Sequence, residues 1–155
     1  MEDTDQEINE EKLKFTENFS LIFEENGHPR IAGQIIGWLI ICEPPEQSFS
    51  DLVENLQVSK ASVSNMTRLL LQVGFIEKVR KPGERQVYFR LVDDAWRQVM
   101  ENHLEFVFSL RDLASEYLEN ADHKEIDRLH EMYEYHKFIA QKMPQVIEDF
   151  KKEKN

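Results

Sequence analysis

The stretch from Ser48 to Leu91 decides the fold, and it reads SFSDLVENLQVSKASVSNMTRLLLQVGFIEKVRKPGERQVYFRL. It predicts a short helix over 50–56 with Ser50 as the N-cap, because a serine hydroxyl can accept an unpaired backbone N–H at a helix start. A second helix is predicted from the hydroxyl cap Ser59 to Gly74, since glycine readily takes the left-handed conformation that ends helices. The two helices with the tight turn between them indicate a helix-turn-helix.

The second helix has two different faces. Its core stripe recurs at three- and four-residue steps and consists of Val63, Met66, Thr67, Leu70 and Val73. The opposite side, called the acid-free face below, consists of Ala61, Ser64, Asn65, Arg68 and Gln72. Asn and Arg can pair bidentately with adenine and guanine, so this composition favours contact with a polyanion. The alternative is an ordinary amphipathic helix without a nucleic-acid role.

A basic hairpin follows the helix pair. Short runs rich in β-branched and aromatic residues, over 75–80 and 85–91, flank Lys81-Pro82-Gly83-Glu84. Proline followed by glycine suits the two central positions of a type II turn. Arg80, Lys81 and Arg85 crowd the tip, here called the wing (residues 80–85). A helix pair followed by such a hairpin is typical of a winged helix-turn-helix.

The segment from 27 to 91 resembles the MarR family of winged-helix transcriptional regulators, and more narrowly its GbsR-like branch. The residues that carry the resemblance are GHPRIAG at 27–33, GWLIICEPPEQS at 37–48, SKASVS at 59–64 and PGER at 82–85. Ala61 stands where the family often has glycine. The resemblance implies a sequence-specific regulator of transcription, expected to be a repressor, that binds double-stranded DNA as a homodimer.

The predicted interface combines major-groove and wing contacts. The helix over 59–73 would enter the major groove, while the wing would contact the backbone or the minor groove. The expected DNA-binding residues are Ser59, Lys60, Ser62, Ser64, Asn65, Arg68, Arg80, Lys81, Arg85 and Arg90. Ser59 and Ser62 are expected to cap the helix or to hold phosphate. The competing function is a winged-helix module that binds an acidic protein partner.

The architecture expected from the whole chain is mainly α with a small β-hairpin wing. Residues 1–27 are predicted to contribute a dimerisation helix, 28–91 to form the DNA-binding domain and 92–155 to form a C-terminal helical dimerisation region. The C-terminal apolar stripes exceed what the winged domain needs for its own core, and the resemblance implies that they pair two chains. An intramolecular bundle in a monomer is the alternative.

Helix boundaries were predicted from caps and breaks. We expect disorder over 1–7, a helix over 8–25, and a helix over 29–42 with Pro29 at its first position. Gly33 and Gly37 lie on one face of that helix and predict the close approach of another helix. Asp93 is predicted to cap a helix reaching Glu119. A capping box at 122–125 would begin the last helix, interrupted at Pro144 and frayed at its tail.

The net charge of −11 opposes DNA binding unless the charges are segregated. Between residues 57 and 90 there are seven Lys and Arg against two Glu, a local charge of +5, so the rest carries −16. Salt screens charges beyond roughly 8–10 Å. A basic face on an acidic body can therefore still bind phosphates.

Other functional classes have little support in the sequence. The acidic start and the lack of a long apolar run predict a cytoplasmic protein. Cys42 is the one cysteine, and a buried, inert thiol is expected rather than a redox sensor. His123, His130 and His136 do not have metal-ligand spacing, so we expect no metal and no cofactor. No phosphate loop, nucleophile elbow or metalloprotease helix is present, which argues against an enzyme.

An effector is implied only by the GbsR-like resemblance, whose namesake responds to choline. Quaternary ammonium ions are held by aromatic rings. A choline-like ligand would draw on aromatic residues such as Trp38, Trp96, Phe106, Tyr133 and Tyr135. Core packing is the alternative role for aromatic residues at helical spacing, so none is assigned to a site.

Overall fold

The computed structural model describes the backbone of residues 2–154 and the side chains of residues 6–120 and 122–154. The elements are α1 (Glu2–Glu25), α2 (Arg30–Ile41), β1 (Gln47–Ser48), α3 (Phe49–Leu56), α4 (Lys60–Val73), β2 (Ile76–Arg80), β3 (Val87–Leu91), α5 (Ala95–Glu119), a 3-10 turn (Ala121–His123) and α6 (Asp127–Lys154). The chain divides after Ala95 into two compact units. The predicted mainly helical architecture with a small wing is confirmed.

The wing belongs to a three-stranded antiparallel sheet rather than to a lone hairpin. Its strand order is β1-β3-β2. Gln47 of β1 pairs with Phe89 of β3, and Lys78 of β2 pairs with the same Phe89 from the other side. The sequence did not predict β1, because two residues are too few to show an alternating pattern. This strand ties the segment before α3 to the base of the wing.

The core of the first unit lies between α2, α3, α4 and the sheet. Ile35 and Ile36 of α2, Leu52 of α3 and Val63 of α4 are fully buried, and Phe89 of β3 is 6% exposed. These side chains come from both helices of the helix-turn-helix, from α2 and from the sheet. Burial of their apolar area therefore fixes α4 relative to the sheet. The predicted core stripe of α4 is buried at Val63, Thr67 and Leu70. Val73 in the last turn is 36% exposed, so the prediction that it belongs to the core is wrong.

Helix α1 packs against the two glycines of α2. A Cβ built on Gly33 would lie 2.8 Å from Cβ of Phe23 and 2.9 Å from Cα of Ser20. At Gly37 the nearest atom is Cβ of Phe19, at 3.1 Å. The predicted close approach of a second helix to this glycine face is therefore confirmed. An exposed ion pair between Arg30 and Glu17 joins the same helices.

We expect Gly33→Ala to lower the free energy of unfolding by about 1–2 kcal/mol. The new methyl group would overlap the backbone of α1, and such overpacking costs ~1–3 kcal/mol, partly offset by the better helix propensity of alanine. Urea denaturation would measure the change. Gly37→Ala is the matched control, since it meets side-chain atoms of Phe19 that can shift. Equal stability of both variants and the wild type would contradict this account of the interface.

The second unit is a pair of helices. Leu104, Val107 and Ala114 of α5 are buried, as are Ala140 and Ile147 of α6. Lys151 Nζ near the end of α6 lies 3.0 Å from Glu101 Oε1 near the start of α5, so the helices run in opposite directions. These contacts lower the pKa of Glu101, chiefly through the hydrogen bond from Lys151.

The predicted starts of three helices, α1, α2 and α5, were wrong. Helix α1 begins at Glu2 rather than at residue 8, because residues 2–7 include no glycine or proline that would break a helix. Pro29 is the N-cap of α2 and not its first helical residue. Helix α5 begins at Ala95, and Asp94 has a left-handed φ of 59°, so the predicted cap at Asp93 is wrong. Met1 lies outside the described residues.

The cap of α3 is Ser48, not Ser50. The Asp51 N–H donates to Ser48 Oγ at 3.0 Å, and the Ser48 N–H donates to Asp51 Oδ2 at 2.7 Å. This reciprocal pair satisfies two backbone donors at once, which a cap at Ser50 could not do because Val53 would stand where the acid is needed.

The predicted boundaries of the last helix were also wrong. Asp122 lies in the 3-10 turn, where its N–H donates to Asn120 Oδ1 at 3.1 Å, and α6 begins only at Asp127. The helix continues through Pro144 to Lys154. Proline removes one helical hydrogen bond, but burial of Ile147 and the ion pair of Lys151 hold the following turns against α5. Asn155 lies outside the described residues.

Candidate nucleic-acid interface

Helix α4 is fixed at both ends by the predicted caps. Ser59 Oγ accepts the Ser62 N–H at 3.1 Å and donates to Ser62 Oγ at 2.8 Å. Gly74 ends the helix with a φ of 83°. Ser59 and Ser62, two of the three serines of the predicted site, are therefore engaged in the cap. The first turn of α4 contains no acid, so the positive end of the helix dipole is left uncompensated by side chains there.

The acid-free face is open to solvent. Ala61, Asn65, Arg68 and Gln72 are exposed, and Ser64 is half-buried. Ser59 and Lys60, at the start of the helix, are exposed as well. No carboxylate occurs in the sequence between Glu54 and Glu77. Every side chain expected to meet base edges can therefore be reached by a ligand without rearrangement of the core.

The wing turn has the geometry expected from its sequence. Gly83 has a φ of 80°, and the Glu84 N–H donates to the Lys81 carbonyl at 3.1 Å. The Tyr88 hydroxyl donates to the Glu84 carboxylate, and this hydrogen bond raises the pKa of Tyr88. The turn is thus braced against β3, which gives the tip a defined position.

The cations of the wing and of β3 fall into two groups. Arg80 and Arg85 are exposed, and no ion pair joins them to an acid whose side chain lies within 6–120 or 122–154. Lys81 Nζ lies 4.2 Å from the centre of the Tyr88 ring and 4.0 Å from Glu46 Oε2. Arg90 is half-buried and engaged by carboxylates, which distinguishes it from the exposed tip.

Arg90 has two acidic neighbours. Its Nε donates to Glu77 Oε1 at 2.7 Å, and its Nη1 lies 3.9 Å from Glu46 Oε1. The hydrogen bond to Glu77 raises the pKa of Arg90. Because Glu77 and Arg90 face each other across β2 and β3, Arg90 contributes to strand pairing as well as to the charge of the wing.

The sequence alone did not indicate a role for two residues of this surface, Lys78 and Glu46. Lys78 is exposed on β2 and lines a concavity of about 240 Å³ together with Ser64 and Arg68 of α4. Its alternation with Glu77 and Val79 could have shown that it shares a face with Arg80. Glu46 approaches Lys81 and Arg90 only because β1 pairs with β3, so its role could not have been read from the sequence.

Cys42 and the histidines are the remaining candidates for a redox or metal site. Cys42 is 4% exposed, and burial raises the pKa of its thiol to about 11. A thiol with such a pKa is almost entirely protonated near neutral pH, which disfavours a redox sensor. Within the described side chains, no group of three or more His, Cys, Asp and Glu residues is arranged to hold a metal ion. No described helix has the length and apolar character required to span a membrane.

The aromatic residues considered for an effector have different environments. Trp38 is 5% exposed, and its Nε1–H donates to Gln47 Oε1 at 2.9 Å. Its place is therefore in the core of the first unit. Trp96, Phe106 and Tyr135 are each more than half exposed, whereas Tyr133 is half-buried beneath Lys137.

Two models of known protein families match this chain, each over a different range of residues. Residues 39–87 match the model of the MarR family, and residues 94–153 match that of the MmpR5-like MarR family transcriptional regulators. The HTH-type transcriptional regulator MmpR5 of Mycobacterium tuberculosis (strain ATCC 25618 / H37Rv) is 35% identical over 102 residues, which are 66% of this chain. The chain spans 62% of the length of that relative.

A solved structure agrees over nearly the whole length. The crystal structure of a transcriptional regulator superposes with a TM-score of 0.80 at 29% identity, covering 92% of this chain and 99% of the other. The matched families are regulators and not enzymes, in agreement with the sequence. Over residues 39–87 and 94–153 the chain is therefore similar to MarR-family transcriptional regulators, in agreement with its wing and the helix pair before it.

Proposed function

We propose that this protein binds double-stranded DNA sequence-specifically, as a homodimer, and thereby regulates transcription. The acid-free face of α4 would enter the major groove, with Asn65 and Arg68 directed at base edges. The exposed Arg80 and Arg85 of the wing, together with Lys78, would contact phosphates or the minor groove. The observation that carries the proposal is the exposure of Asn65 and Arg68 on a capped helix without acids.

The distribution of charge along the chain supports the same DNA-binding surface. The protein has a net charge of −11, yet the segment over 57–90 carries +5. The attraction between lysine or arginine and phosphate acts over a Debye length of roughly 8–10 Å. Binding should therefore be local to this segment, and the acidic remainder should reduce contacts with DNA elsewhere.

The second unit supports the homodimer. Helix α6 exposes an apolar stripe formed by Tyr135, Phe138, Val146 and Phe150, each more than half exposed. Exposed apolar surfaces of this kind mark protein–protein interfaces. Pairing two copies would cover the stripe and present two recognition helices to half-sites about 10 base pairs apart.

Selection from a random pool of double-stranded DNA tests the function. We expect enrichment of a near-palindromic motif whose half-sites are separated by about one helical turn. Retention of the pool without enrichment of any motif would contradict the proposal. The competing assignment, a module that binds an acidic protein, is not favoured, because the matched families are transcriptional regulators.

We expect Lys81→Ala to weaken binding evenly across DNA sequences. A lysine ammonium that contacts phosphate carries no sequence information, so matched and mismatched sites should lose the same factor. Titration of both kinds of site at one salt concentration measures this. A loss restricted to the matched site would instead assign Lys81 to base recognition.

Three finer assignments rest on the resemblance alone. These are the GbsR-like branch, a choline-like effector and repression as the direction of control. The family models that match describe MarR and MmpR5-like regulators. Calorimetric titration with choline, compared with an uncharged isostere, tests the effector. The cytoplasmic location is part of the same proposal, since a regulator of transcription must reach DNA.

A further inference from the structure

We propose that Glu46 is an internal competitor for DNA phosphates that sets the affinity and the salt dependence of the wing. The inference rests on the proposed function, because it concerns the contact between Lys81 and DNA. Glu46 immediately precedes β1, and the pairing of β1 with β3 places it beside the wing. Its side chain is 24% exposed, so it can exchange Lys81 for a cation from solution.

The two oxygens of Glu46 face two different cations. Oε2 lies 4.0 Å from Lys81 Nζ, and Oε1 lies 3.9 Å from Arg90 Nη1. Arg90 is also held by Glu77 at 2.7 Å, so it has a carboxylate partner whatever Lys81 does. Lys81 is the more easily released member of this group, since among the described side chains its ammonium is otherwise placed only over the face of the Tyr88 ring.

The surroundings of Lys81 increase the competition. It lines a cavity of about 470 Å³ that also contains the carboxylates of Glu43, Glu46 and Asp51. Lys12 is the other cation in this lining. A phosphate that approaches Lys81 must therefore enter a region where carboxylates outnumber ammonium groups. Repulsion between phosphate and Glu46 opposes the contact at the point where Lys81 would make it.

This arrangement predicts an unusual salt dependence. A lysine that neutralises a phosphate normally releases a bound counterion and steepens the slope of log K against log salt by about 0.9. When Lys81 leaves Glu46 for a phosphate, Glu46 takes up a cation from solution, which cancels most of that release. Lys81 should therefore contribute little to the slope in the wild type. It should contribute the full value of about 0.9 in a variant whose residue 46 is neutral.

The experiment is a double-mutant cycle of Glu46→Gln and Lys81→Ala, titrated against the selected DNA site over a range of salt. We expect Glu46→Gln to raise affinity about twofold to fivefold at low salt, as for other partly exposed ion pairs. It should also steepen the slope by up to about 0.9. In the Lys81→Ala background both effects should be largely lost.

Glu17→Gln is the matched control. It makes the same change in net charge at an ion-paired carboxylate of the first unit, but its partner is Arg30 on the glycine-packed helices. An equal gain in Glu17→Gln and Glu46→Gln, or a gain that persists with Lys81→Ala, would overturn the inference. Failure of the wild type to select any DNA would instead overturn the proposed function.

Discussion

Replacing Phe138 by glutamate is expected to convert the proposed dimer into monomers and to abolish tight binding to a two-half-site operator. Phe138 is 56% exposed within one chain, in the stripe of α6. Aromatic residues at the centre of an interface contribute about 2–4 kcal/mol, and a carboxylate buried there adds a desolvation cost. The dimer dissociation constant should therefore rise at least about 100-fold.

Sedimentation velocity over a concentration series measures the loss of the dimer. DNA affinity should fall with it, because two linked half-sites bind about 10²–10⁴-fold more tightly than one. Gln141→Glu is the control, since it introduces the same charge at an exposed polar position of α6 outside the stripe. A Phe138→Glu variant that remains a dimer and binds the full site would exclude this stripe from the interface.

Arg68→Ala is expected to cost about 1–3 kcal/mol of DNA binding, concentrated at one base position. Arg68 is exposed in the middle of the acid-free face and borders the concavity that it shares with Lys78. A bidentate arginine distinguishes guanine from the other bases. Removal of the guanidinium should therefore lower affinity for the preferred site by about 5- to 150-fold and make the variant indifferent to the base at that position.

Titration of the variant against the selected site and against the three single-base substitutions of that site at each position measures both effects. Arg30→Ala removes an exposed arginine of the same unit whose guanidinium pairs with Glu17 and Glu24, so it controls for the change in charge. A uniform loss over all sites would show that Arg68 contacts phosphate and not a base.

The local features of the helix-turn-helix were predictable because they depend on neighbouring residues. Ser59 and Gly74 cap α4 as expected, and Gly83 takes the positive φ that its turn requires. The stripe of α4 predicted its buried side from periodicity alone. Gly33 and Gly37 predicted a close helix contact, because glycine lowers helix propensity and is expected twice in an apolar helix where another helix approaches.

Failures of the sequence-based predictions occurred where competing local signals had similar strength. Ser48 and Ser50 are both plausible caps, and only the position of Asp51 relative to Ser48 allows a reciprocal pair of hydrogen bonds. Pro144 normally disfavours a continuous helix, but contacts with α5 hold the residues after it. A single proline or serine therefore marks a boundary only when tertiary contacts do not outweigh it.

The amino-acid sequence by itself determined the helix pair, the wing turn and the segregation of positive charge over 57–90, because caps, periodicity and charge are properties of residues close together in the chain. Only the tertiary structure decided which of those charges are free. Pairing of β1 with β3 brings Glu46 to Lys81 and Arg90, while Arg80 and Arg85 stay exposed. Glu46 and Arg90 are 44 positions apart in the sequence, and a contact over such a separation is fixed by the packing of the whole unit rather than by any local pattern.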